Sequence, residues 1–152
     1  MRFAVPIAIL LISGTNAIPA RASSMDDKNF DQQAIEAVEA KVEQAKPRER
    51  CFLYAELVHR MTEVSLRKYA AGDVVEATVL LRQVQEFTHK IHLSMTENDK
   101  RLKNAEILLR RTTFRLTEML HSSGFEDRAL VEQTLAQVNQ AESEAMMQVF
   151  RK

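Results

Sequence analysis

Three of the four histidines in this 152-residue chain follow a glutamate by three positions. The pairs are Glu56–His59, Glu86–His89 and Glu118–His121. Three residues is close to one helical turn, so each pair shares a helical face. A carboxylate and an imidazole so placed form the ligand pair with which helices can hold two bridged metal ions. That chemistry requires the ligands to project into the interior. Helical periodicity instead puts all three pairs on polar faces, away from the Leu and Met positions. The expected reading is therefore three solvated Glu–His neighbours, with no cofactor. Glu56, His59, Glu86, His89, Glu118 and His121 serve as metal ligands only in the alternative reading. His89 and His92 form a second near pair, which Glu86 or Glu63 of an adjacent helix could join as a surface transition-metal site. There too a solvated face is the preferred reading.

Nucleophilic catalysis has no visible apparatus. Ser65, Ser94, Ser122 and Ser123 do not sit in a strand-to-helix elbow. There is no Gly-rich phosphate loop, Cys-x-x-Cys or His-Glu-x-x-His. The single cysteine, Cys51, excludes an internal disulfide. Its neighbours Phe52, Leu53 and Tyr54 point to a buried thiol. The sequence is read as non-enzymatic.

Charge is unevenly distributed. Lys100, Arg101, Lys103, Arg110, Arg111 and Arg115 are offset only by Asp99 and Glu106 over that stretch. Residues 25–49 are acidic, with Asp26, Asp27, Asp31, Glu36, Glu39, Glu43 and Glu49. The expectation is that the acidic segment docks on the basic helix, within the chain or across a dimer. An anionic partner for the basic helix is the competing reading. Nucleic acid is not an expected partner, because aromatic residues do not interleave the basic ones.

Two apolar rows lie off the main stripes: Ile107 with Phe114, and Val75, Val79 with Leu93. A second apolar row on a helix usually packs on something. Ile107, Arg110, Arg111 and Phe114 are the expected partner-binding patch, through a protein partner or self-association.

The elements that position these residues follow from helical periodicity. Pro47, Gly72 and Gly124 are the only prolines and glycines after residue 22, and each falls where a helix should start or stop. No alternating β-branched or aromatic run suggests a strand. Five helices are expected: 27–46, with a thin Ala34, Ile35, Val38, Val42 and Ala45 stripe that offers little area for docking and suggests a loosely attached arm; 47–71; a third from Asp73; 99–122; and 125–149. The third and fourth are expected to break at Asn98–Asp99. Capping boxes are expected at Asp73/Glu76 and Ser123/Glu126. Tyr69-Ala-Ala-Gly72-Asp73-Val-Val-Glu76-Ala77, followed by Leu80-Leu81, resembles the turn region of a tetratricopeptide repeat over about twenty residues. It does not recur, and it is read as generic helix–turn–helix chemistry.

At the start of the chain, Arg2 precedes an apolar run over residues 3–12, and Ala20-Arg21-Ala22 offers small residues for cleavage before Ser23. This is the pattern of a secretory signal, too short to span a bilayer comfortably. Its removal takes Lys plus Arg from 21 to 19 against 21 Asp plus Glu, a net charge of −2. Residues 1–22 are expected to be the signal, 23–46 an acidic arm or helix, and 47–152 the bundle domain. The expected fold is all-α: an antiparallel, up-down-up-down four-helix bundle with an additional N-terminal helix. The expected protein is periplasmic or secreted, without stable membrane insertion.

Overall fold

The computed structural model describes residues 23–96 and 98–151, with side chains from Asn29 onward. The expected signal segment lies outside the described residues. Among the described residues five helices follow one another: α1 (Ser23–Gln44), α2 (Pro47–Ala70), α3 (Val74–Ser94), α4 (Leu102–Ser122) and α5 (Phe125–Phe150). Among the described residues there is no strand, and no helix is long and apolar enough to cross a membrane.

Local chemistry sets the boundaries. Pro47 opens α2 at its first turn, where its missing N–H costs nothing. Gly72 has φ +82°, and the Gly72 and Asp73 amides donate to the carbonyls of Tyr69 and Lys68 at 3.0 and 2.9 Å. This reciprocal pattern closes the helix end and needs a residue tolerant of the left-handed region. The expected capping boxes do not form: Asp73 makes no side-chain cap bond, and α5 starts after Gly124, which has no side chain, so Ser123 is not the capping residue. Lys68 takes Asp73 at 3.8 Å and also Glu76. Ser123 Oγ turns back to the Leu120 carbonyl at 3.0 Å.

The helices pack into a bundle. α2 and α3 form one hairpin and α4 and α5 another, with α4 against α2 and α5 against α3. Ties between α2 and α4 advance in step along both helices: Glu49–Lys100, His59–Thr112, Glu63–Arg115 and Tyr69–Gly124. The two helices therefore run in the same direction. Gln85–Thr134 and His92–Glu144 show the same for α3 and α5. Consequently α3 and α4, consecutive in sequence, are not neighbours.

The connection between them does break, as expected. Thr96 N–H donates to Asp99 Oδ2 at 2.8 Å, and Arg101 adopts φ +59° before α4. Lys100 N–H donates to the Arg48 carbonyl and Arg48 Nε to the Asn98 carbonyl, both at 2.8 Å. The connection is thus pinned to the first turn of α2.

The interior is a single cluster that includes Leu57, Val58, Met61, Leu81, Val84, Leu109, Leu116, Met119, Val131 and Val138. α2 lies at its centre, packed by α1, α3 and α4, so Cys51, Phe52, Ala55, Thr62 and Ser65 are buried as well as Leu57, Val58, Met61 and Val64 of the stripe expected from helical spacing, whose other members Leu53 and Tyr54 are half-buried. Two expectations about the acidic first helix are corrected. It is not loose, because Ile35 and Val38 are buried against the core. Nor does it pack on basic α4 within the chain: its packing partner is α2, Asp31 takes Arg67 of α2 at 2.7 Å, and of the acidic segment it is Glu49, already in α2, that reaches the basic residues, through Lys100 at 3.0 Å. Apolar burial decided this, as Ile35 and Val38 gain more from the α2 face than exposed charges gain from one another.

Candidate interaction surface at the seam of α2 and α4

Ile107, Arg110, Arg111 and Phe114 are spaced to fall along one face of α4. The structure brings all four around one open depression of about 460 Å³, which His59 and Glu63 of α2 and Arg115 also line. Phe114 is 63% exposed. Arg110 and Arg111 are exposed and Ile107 is half-buried. A groove of about 590 Å³ between α1, α2 and α4 adjoins it and shares His59 and Glu63.

Most cations here already have a carboxylate. Arg110 holds the buried Glu106 at 2.9 Å. Arg115 grips Glu63 through two bonds, Nε at 2.7 Å and Nη2 at 3.1 Å, and also reaches Glu118. Those hydrogen bonds, Glu63 first, hold the Arg115 guanidinium above its usual pKa. Arg60 takes Glu56 at 2.8 Å. Arg111 is different, since no carboxylate among the described residues pairs with it.

His59 sits half-buried between the helices. Thr112 gives its single hydroxyl proton to the Leu108 carbonyl at 2.8 Å. Its oxygen can then only accept from His59 Nδ1, 3.2 Å away. The imidazole therefore carries its proton on Nδ1. Burial holds the His59 pKa below 6.5; Glu63 opposes this, and Arg111, Arg115 and Arg60 add to it. A neutral ring among guanidinium groups makes a positively biased, partly apolar surface. It suits an anionic group next to an apolar anchor.

The Glu-x-x-His pairs stay apart. Glu56, Glu86 and Glu118 each take a cation one turn away, namely Arg60, Lys90 and Arg115. Glu86, His89, Glu118 and His121 are exposed, whereas Glu56 and His59 are half-buried rather than on an outer polar face. Among the described residues no three His, Cys, Asp or Glu side chains converge to hold a metal ion. Neither Glu86 nor Glu63 joins His89 and His92. His92 instead meets Glu144 of α5 at 2.7 Å, and His89 stacks on it with centroids 6.4 Å apart. Glu144 is pulled up by burial, but hydrogen bonds from His92 and Gln140 outweigh this and leave it below its usual value.

Cys51 is fully buried, as expected, and burial, then the Asp99 charge and hydrogen bond, push its thiol up to about 12. It is not a nucleophile at neutral pH. The roles of His59 and Glu144 were missed in sequence. Both act across pairs of parallel helices some fifty residues apart, and helical spacing alone does not report such distances. The chain matches no family model, no curated protein and no solved structure.

Proposed function

We propose that this is an exported, non-enzymatic helical-bundle protein that works by protein–protein contact, as a scaffold, adaptor or chaperone-like component of the periplasm or cell exterior. Its architecture is taken to be a four-helix bundle, α2 to α5, whose helices alternate in direction along the chain as two antiparallel hairpins laid side by side, rather than one in which every neighbouring pair is antiparallel, with α1 as an added N-terminal helix. The partner docks at Ile107, Arg110, Arg111 and Phe114, presenting a carboxylate to Arg111 and an apolar side chain to Phe114.

One observation carries this reading. An exposed aromatic ring and a guanidinium that no carboxylate among the described residues pairs with share one depression, where the neighbouring Arg110 and Arg115 are already matched. Exposed aromatic and arginine side chains in a shared recess have the composition of interface hot spots.

The test is site-specific photo-crosslinking at Phe114 in the producing cells. A discrete adduct is expected, and Arg111→Glu should abolish it. Co-purifying proteins that are unchanged by Phe114→Asp would overturn the docking site. Export is tested separately by sequencing the amino terminus of the mature protein. It should begin at Ser23, and a chain retaining residues 1–22 would overturn that part.

A further inference from the structure

The outward face of α3 carries a second surface, in a different layer from the depression on α4. Val75, Val79 and Leu93 are 76%, 53% and 70% exposed. Arg82, Glu86 and His89 are exposed on the same helix. These six residues recur in alternating steps of four and three. At about 100° per residue they fall within roughly 40° of one line. Steps of four and three are the seam of a coiled coil.

The row has an internal symmetry. Val84 lies on the opposite face and is fully buried. Val75 and Leu93 stand equally far from it along the helix, as do Val79 and His89, and Arg82 and Glu86. A two-fold axis through Val84, perpendicular to the helix, therefore maps each residue onto the other member of its pair. The Arg82–Glu86 match makes the row complementary to itself in charge. No carboxylate among the described residues pairs with Arg82, whereas Glu86 holds Lys90 at 2.8 Å.

We infer that α3 pairs antiparallel with α3 of a second copy of this chain about that axis. Val75 then meets Leu93 of the partner subunit, Val79 meets the partner's His89, and Arg82 meets the partner's Glu86. Such an interface is isologous: every contact occurs twice. Apolar layers close the two ends, and two reciprocal ion pairs flank the centre. A parallel arrangement would place Arg82 near Arg82 and Glu86 near Glu86, so charge selects the antiparallel one. Leu93 of the partner subunit enters a groove of about 370 Å³ beside α1, lined by Ile35, Val75, Val79 and Leu80 among others. A single helix pair buries on the order of 1,000 Å², at the weak end of specific interfaces. The dimer is therefore reversible.

Sedimentation of the purified protein from about 1 µM to 1 mM tests this. A concentration-dependent monomer–dimer equilibrium is expected. Arg82→Glu and Glu86→Arg should each weaken it at least about tenfold, and the double exchange R82E/E86R should restore it to within about threefold. Orientation is read by oxidation of engineered thiols, with native Cys51 buried. Val75→Cys mixed with Leu93→Cys should give a disulfide-linked pair. Val75→Cys alone should not, because the two copies of residue 75 lie about 27 Å apart along the axis. A chain that is monomeric at 1 mM, a double exchange no better than the single changes, or self-linking of Val75→Cys would each overturn the inference. None of these results bears on docking at Phe114, which lies on α4.

Discussion

Between α2 and α4, polar ties run the length of the helices, from Lys100 on Glu49 at the base to the Gly124 amide on the Tyr69 hydroxyl, 2.7 Å apart, at the turn. Between α3 and α5 they lie at mid-helix, Gln85 on Thr134 at 3.0 Å, and near the lower end, His92 on Glu144. Both seams join parallel helices, but they differ in what fills them. α4 contributes large buried side chains, Leu109, Leu116 and Met119, whereas α5 contributes Val131, Thr134, Val138, Ala141 and Ala145. α2 supports three helices, while α5 has two neighbours. The α2/α4 layer is therefore the frame of the fold and α3/α5 the lighter layer against it.

Core truncation should expose that asymmetry most strongly. Leu109→Ala removes a fully buried side chain from the frame and should cost about 3 kcal/mol. Leu135→Ala removes a half-buried one from α5 and should cost about 1 kcal/mol. Urea denaturation of both variants measures this. Equal losses would break the comparison and make the two layers energetically alike.

The elements themselves were legible because helical periodicity is local. The apolar stripes of α2 to α5, the breaks at Pro47, Gly72 and Gly124, and the turn around Asn98–Asp99 needed no knowledge of neighbours. The four patch residues on α4 share a face for the same reason. What could not be read was lateral order. Phe52, Ala55, Thr62 and Ser65 fall outside the expected α2 stripe, and they are buried because α1 and α4 cover sides that a simple hairpin leaves open. Charge asymmetry misdirected the placement of α1, since Arg110 and Arg115 found partners in Glu106 and Glu63 rather than in the acidic arm.

The two hairpin turns extend the contrast at a smaller scale. Gly72 occupies φ +82° with open space around a prospective Cβ, so Gly72→Ala introduces backbone strain and no clash. It should cost about 1 kcal/mol. Gly124 has φ −69°, and an added Cβ would meet only the Tyr69 hydroxyl at an ordinary 3.7 Å. Gly124→Ala should therefore leave the thermal midpoint within about 1 °C of the parent. A large loss at Gly124 would show that the Tyr69 contact needs closer backbone approach than its geometry implies.

Ion pairing across the seams should matter less. Arg115→Gln breaks the two-bond grip on Glu63 at a partly exposed site and should cost about 0.7 kcal/mol. His92→Gln loosens a single contact to Glu144 and should cost about 0.2 kcal/mol. Double-mutant cycles with Glu63→Gln and Glu144→Gln isolate each coupling. A stronger His92–Glu144 term would move the polar anchor to the lighter layer.

The smallest effect separates the seams along the pH axis. The folded pKa of His59 lies below 6.5, chiefly through burial. Between those two values the unfolded chain binds the proton and the folded chain resists it, so stability falls as pH drops below about 6.5. Glu144 is also depressed, from 4.5. Its contribution is fully present above that value and is lost only as pH falls further, through its folded pKa. Acid should therefore loosen the α2/α4 seam first and the α3/α5 seam later. Thermal midpoints of the parent, His59→Gln and Glu144→Gln across this range give the test. His59→Gln should flatten the slope just below pH 6.5 and leave the more acidic part intact, and Glu144→Gln should do the reverse. If His59→Gln retains the parent slope there, the imidazole is not held neutral by its burial against Thr112, and the seam opens readily enough to hydrate it.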